Sequence, residues 1–258
     1  MLEIINEYYY YLVQLINNFS NISLNAYIIL GIAVVFLALY KLRSYPILST
    51  ISVGFSFFPV LIHELGHAFA SQLIGGQVDD IRMILSNKKQ QEAGKQGYAI
   101  TRANHRFKFI FITFFGYVAP PLMLLLGVYL VHKGFTFIFL FLCIFFLVFY
   151  FVQTTQKWIP LILLIIVGYC CYNIIFQHQP LITNSTTILY NTLLGLLLGE
   201  TVQSVFITTK TTFSKNAAEW DGSALKSLTH IPTIIWWLLW TLISVTTIYN
   251  VLIIIFSR

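Results

Sequence analysis

The chain has 258 residues, 58% of them hydrophobic and 9% charged, where a soluble domain carries about 25% charged residues. Its apolar residues come in blocks near the roughly 20 residues that a bilayer-spanning helix requires, which excludes an ordinary soluble enzyme and implies one membrane domain. The net charge of +6 does not indicate nucleic acid, because the 15 Lys and Arg are thinly spread between apolar blocks, the pattern that orients a membrane protein.

In chain order, residues 1–25 predict an interfacial amphipathic helix rather than a cleaved leader, since no basic residue precedes the first apolar run. Ile4, Tyr8, Tyr11, Leu12, Leu15, Ile16 and Phe19 share one helical face, and Glu3, Asn6, Glu7, Gln14 and Asn17 the other. Seven spans are then predicted, at about 26–42, 51–74, 107–131, 135–152, 158–176, 186–207 and 233–256. The long interruptions, 75–106 and 208–232, are polar. Within the first, Val78–Leu85 and Tyr98–Arg102 read as strands around a stretch containing Asn87, Gly94 and Gly97. That pattern predicts a membrane-associated β-hairpin, with a structural loop as the blander alternative. The fold class expected is an all-α polytopic membrane protein carrying this hairpin.

Eleven of the basic residues fall on the side of 75–106 and four on the other. The first side is therefore expected to be cytoplasmic, with the amino terminus inside. Lys41 and Arg43 oppose this locally. Cys143, Cys170 and Cys171 lie inside apolar blocks without paired spacing or a His partner, so no disulfide or metal role is expected.

The chemistry concentrates in the second span. His63, Glu64 and His67 form the pattern HExxH. On a helix, two histidines four apart lie one turn above each other, so both imidazoles can share one tetrahedral zinc while Glu64 acts on its water. The bland reading is coincidence in a packed helix. Against it, three ionisable side chains within five residues of an apolar span are expensive unless they pair, bind an ion or line a wet cavity. Gly66 and Ala68 allow a helix or a peptide backbone to approach closely, and the sequence does not choose between these. Pro59 removes a backbone donor one turn before His63. Gly75 and Gly76 end the helix, which puts the metal about 12 Å inside that boundary at roughly 1.5 Å per residue.

A catalytic zinc needs a third protein ligand and an open position. Two acids compete for it. Asp221 lies just before the last span, and Glu200 stands alone in an apolar run, one turn from Gln203 and Ser204. Glu219 reads as a solvated loop charge, and His105, His132, His178 and His230 at span ends are assigned no role.

Taken together, these residues resemble the site-2 protease family of intramembrane zinc metallopeptidases, in its compact bacterial branch without a PDZ domain. The resemblance covers roughly residues 55–240. It rests on the His63–His67 motif, the Gly75–Gly76 exit into a hairpin, Gly116-Tyr117-Val118-Ala119-Pro120-Pro121, and Asp221-Gly222 followed by Ile231-Pro232 and Trp236-Trp237. It implies one Zn2+ held by His63, His67 and Asp221, Glu64 as general base, a transmembrane metalloprotease domain over 26–258, and membrane-anchored substrates. Better-known members carry an Asn and prolines shortly before Leu-Asp-Gly. Here Trp220 precedes Asp221 with no proline between, so no oxyanion or clamping role is carried to Asn216. Three other functions compete: a catalytically silent membrane chaperone or scaffold, a Glu-liganded membrane zinc protease, and a zinc transporter. Zinc binding alone does not need Glu64, which argues against the scaffold, and the polar groups gather at one depth rather than along a transport path.

Overall fold

The computed structural model describes residues 22–176, 180–214 and 219–257. The expected interfacial helix falls almost entirely outside them, as does Asn216. Among the described residues, seven apolar helices overlap the ranges expected to span: α1 (Ala26–Lys41), α2 (Pro46–Leu73), α4 (Arg106–His132), α5 (Thr136–Gln153), α6 (Trp158–Phe176), α7 (Pro180–Thr212) and α9 (Thr233–Phe256). Five of these, α2, α4, α5, α7 and α9, are long and apolar enough to cross a membrane, whereas α1 and the described part of α6 are shorter. Between α2 and α4 lie β1 (Gln77–Met83), a short helix α3 (Asn87–Ala93) and β2 (Gly97–Arg102). Before α9 comes α8 (Asp221–Thr229), a helix that the sequence reading missed.

Helix boundaries follow local chemistry. Asn25 caps α1 by accepting from the Ile28 amide at 3.1 Å, and Pro46 occupies the first turn of α2. At the other end of α2, Gly75 adopts φ 68°. The Gly76 amide reaches back to Ser71 O at 2.8 Å and the Gly75 amide to Gln72 O at 3.1 Å, which satisfies the last carbonyls before the chain reverses.

Glycines set the tightest helix contacts, as expected where lipid supplies no hydrophobic drive for association. Gly195 and Gly199 of α7, four apart, let α1 approach so closely that a Cβ at either would collide with Ile32 or Phe36. Gly66 does the same for α2 and α4, where a Cβ would stand 2.7 Å from both Ala119 Cβ and Phe115 O. Its neighbour is thus a helix.

The two strands pair antiparallel, with Ile81 opposite Ala99 and Met83 opposite Gly97. The hairpin does not stand off the end of α2. It folds back along that helix, so that Met83, Ile84, Leu85, Gln90 and Gln96 share a small space with Val53, Ser56, Phe57 and Val60. This carries Lys88, Lys89 and Lys95 of the tip towards the Lys41–Arg43 end of α2. With these three moved, the basic residues divide eight to seven, and most of the expected charge bias disappears.

The two edges of the sheet differ. Ile81 O accepts from Thr154 Oγ1 at 2.6 Å, and the Met83 amide donates to Gln156 Oε1 at 3.0 Å. The outward groups of β1 are therefore occupied by the α5–α6 connection. In an antiparallel pair, residues opposite such outward-facing positions also face outward, so the backbone groups of Gly97 and Ala99 point away from β1. Glu64 lies beside this edge: the Ala99 backbone hydrogen-bonds the Glu64 carboxyl, and a Cβ projecting from the sheet face at Gly97 would lie 3.2 Å from Glu64 Cγ.

Asp80 secures the occupied edge. Its carboxylate accepts from the Thr155 amide at 2.8 Å and the Thr155 hydroxyl at 2.9 Å, and pairs with Arg82. Burial pushes this carboxyl up, but those donors outweigh it and hold it below the ordinary carboxylate range. A depressed carboxyl stabilises the fold above its unfolded pKa of about 3.9 and loses that contribution as pH falls through the lower folded value. Asp80→Ala should cost about 2 kcal/mol at neutral pH, read as a lowered thermal midpoint in detergent, and the gap between variant and parent should close in strong acid.

Candidate metal centre

Each functional side chain comes from an element with a reason to be there. His63 and His67 lie one turn apart on α2, and their Nε2 atoms are 3.2 Å apart. His67 Nδ1 lies 2.9 Å from Ile112 O of α4. A carbonyl can only accept, so that nitrogen carries the proton and Nε2 keeps its lone pair for a metal. The ring of His63 stands edge-on to Tyr117, with centroids 4.8 Å apart.

Gly116 explains how α4 comes so near. A Cβ there would overlap Cε1 and Nε2 of His67 and approach His63 Cε1 to 3.0 Å. Any larger residue would therefore displace the imidazoles.

Asp221 opens α8. Ser223 fixes this start, its hydroxyl accepting from the Trp220 amide at 2.9 Å and donating to Trp220 O at 2.7 Å. The Trp220 ring folds over Gly222, two residues on, where a Cβ would meet it. It packs on Tyr117 and Trp240, with centroids 6.1 and 5.9 Å away. The anchoring of Trp220 is thus inward, against an aromatic cluster, rather than at a membrane interface. Trp240 holds that cluster to α4 through a 3.1 Å bond from its Nε1 to Phe114 O.

This packing brings Asp221 Oδ2 to 3.4 Å from Nε2 of both His63 and His67. Three donor atoms thus form a nearly equilateral triangle with edges of 3.2–3.4 Å. A tetrahedral zinc held at about 2.0–2.1 Å requires ligand atoms roughly 3.3–3.4 Å apart, so the residues present fit that ion and leave a fourth position open. Burial raises the Asp221 carboxyl, and the charge of a protonated His67 with hydrogen bonds from both imidazoles outweighs it, holding it well below the usual carboxylate range while protons rather than an ion occupy the Nε2 atoms. It is an anion at neutral pH. Glu64, 7% exposed, lies beside this triangle but outside it.

Glu200 is not among the converging donors. Its Oε1 accepts from Ser204 Oγ at 2.9 Å. Its Oε2, and both polar atoms of the adjacent Gln203, are buried with no hydrogen-bond partner among the described residues. Glu219 is exposed, and His105 caps α4 through the Phe107 amide.

A family model described as Peptidase M50B-like matches residues 26–251. No curated protein and no solved structure matches the chain.

The two candidate third ligands separate by metal content. Asp221→Asn should weaken zinc binding by more than about a hundredfold, beyond the loss typical of a group that only supports a ligand. Glu200→Gln should keep its zinc. Metal analysis of the purified variants after dialysis reads both, and the reverse result would transfer the ligand role to Glu200.

Proposed function

The chain belongs to the Peptidase M50B-like family, and from that membership we propose that it is an intramembrane zinc metalloprotease hydrolysing peptide bonds of membrane-anchored proteins or peptides. The observation that carries this reading is the triangle of His63, His67 and Asp221 donor atoms with Glu64 against it. Zinc, when bound there, would polarise the scissile carbonyl and make water acidic enough to give up a proton near neutral pH.

The remaining work falls to the chain's own side chains. Glu64 takes the proton from the attacking water and returns it to the leaving amine. Asp221 and the two imidazoles orient the reaction, with His67 kept in the useful tautomer by Ile112 O. The edge of β2 that pairs with no strand receives the substrate as an added strand, since it lies beside Glu64, which the Ala99 backbone contacts. Strand addition also supplies the straightening that a helical segment needs before its peptide bond is accessible. Water reaches the centre past polar groups such as Glu200 and Gln203, whose unpartnered buried atoms are suited to holding it.

The orientation carried into this reading puts the amino terminus in the cytoplasm and the metal in the cytoplasmic half of a bacterial cell membrane. It rests on the basic residues that remain on the side of Arg102, Arg106 and Lys108.

Glu64→Gln should lower kcat by about a hundredfold to ten-thousandfold while zinc stays bound, because it removes the base and no ligand. Cleavage of a membrane-anchored reporter, measured beside metal content, tests this, and a variant that cleaves normally would refute the mechanism. For orientation, a cysteine placed at the exposed Lys226 of α8 should react with an impermeant reagent only after cells are opened. Labelling of intact cells would reverse the topology.

A further inference from the structure

Arg43 is an anomaly for the sequence, a cation on the side that should be poor in them. Its guanidinium does not reach for the bilayer surface. Nε donates to Ser52 Oγ at 2.7 Å, and Nη2 donates to Ser56 Oγ and to Gln96 Oε1, both at 3.1 Å. The group also lies over the Tyr40 ring, 5.0 Å from its centroid. Ser52 and Ser56 are four apart on α2, buried at 3% and 2% exposure, so they present two hydroxyls along one face of an otherwise apolar helix. A fork of N–H groups matches that spacing, and an ammonium does not.

Gln96 is the informative partner. Its carbonyl accepts from the Ile84 amide at 2.9 Å, which closes the hairpin ladder, and its side chain joins that ladder to Arg43. The next residue is Gly97, whose Cα lies against Glu64. Ala99, two further on, interacts with the Glu64 carboxyl. A continuous path therefore runs from the α1–α2 connection through Arg43 and Gln96 to the edge of β2 beside the base.

We propose that Arg43 is a positioning residue for substrate binding: by gripping Gln96 and the Ser52–Ser56 face together, it holds the free edge of β2 at a fixed distance from Glu64. The proposal rests on the protease reading above. The hairpin is fixed elsewhere by the Asp79–Arg102 pair at its base and by Asp80, Thr154 and Gln156 along its far edge, while at the tip Ile84, Leu85 and Gln90 lie against Val53, Phe57 and Val60 and Arg43 adds the polar bond that sets their register. Without Arg43 the tip keeps its packing on α2 but loses the bond that fixes its position along that helix, and an incoming strand meets an edge that is no longer in register with the metal centre. The residue acts on capture of substrate rather than on the proton transfer.

The test uses the full chain in liposomes, with Cys143, Cys170 and Cys171 replaced by alanine and spin labels on Glu92→Cys of α3 and Ser227→Cys of α8. Arg43→Gln and, as a milder lesion, Gln96→Leu should each broaden the distance distribution between the labels while zinc content is unchanged. Arg43→Lys should restore it in part. On a membrane-anchored reporter, KM should rise about tenfold, the scale of one lost charge-assisted bond, with kcat nearly unchanged. An unbroadened distribution in both variants overturns the latch, and a broadened one with unchanged KM overturns its role in binding. If the parent cleaves no reporter, the protease reading fails, and the distance distribution still decides whether Arg43 holds the tip.

Discussion

Everything at the metal centre depends on how closely α4 approaches α2. At Gly66 and Gly116 there is no room for a methyl group, and the space saved is occupied by the imidazoles and by the backbone of the other helix. That contact supplies the carbonyl that orients His67 and places Tyr117 edge-on against His63. It also presents the aromatic surface on which Trp220 seats α8. Two donor atoms from one helix and a third from a distant segment are thus brought to a spacing that fits a tetrahedral ion by packing alone. The cost of burying these ionisable groups among apolar helices is offset where they pair with one another or an ion or water joins them.

The second constraint is that strands beside hydrocarbon must not leave their backbone unsatisfied. The hairpin meets it asymmetrically. Its β1 edge is covered by Thr154, Thr155 and Gln156, whereas its β2 edge is turned inward to α2. The asymmetry has a chemical consequence, because an exposed edge pairs with any extended chain. Covering one edge and turning the other towards α2 keeps both from pairing with a chain outside the helices.

The sequence was most legible where the signal was local. Block length alone located the seven apolar helices, and the His63–His67 spacing located the donors, because both are properties of consecutive residues. The strands were legible as strands, yet their direction relative to α2 was not, since re-entry depends on Arg43, Ser52, Ser56 and Gln96 meeting across the fold. Arg43 itself was misread as an orienting charge for the same reason. The short helix α8 escaped because nine residues in a polar stretch carry no clear periodicity, and its start is set by the Trp220 ring lying over Gly222. Between Asp221 and Glu200, position along the chain could not decide. The convergence of donor atoms favours Asp221.

The distance in sequence between the donors matters during synthesis. His63, Glu64 and His67 enter the membrane with α2, and four further apolar helices must be made and inserted before Asp221 appears with α8. Throughout that interval the nascent chain carries a base and two imidazoles but no closed cage for an ion. A product of premature termination anywhere before α8 would be in the same state. The order of the elements therefore delays convergence of the three donor atoms until the helices that enclose them are largely in place.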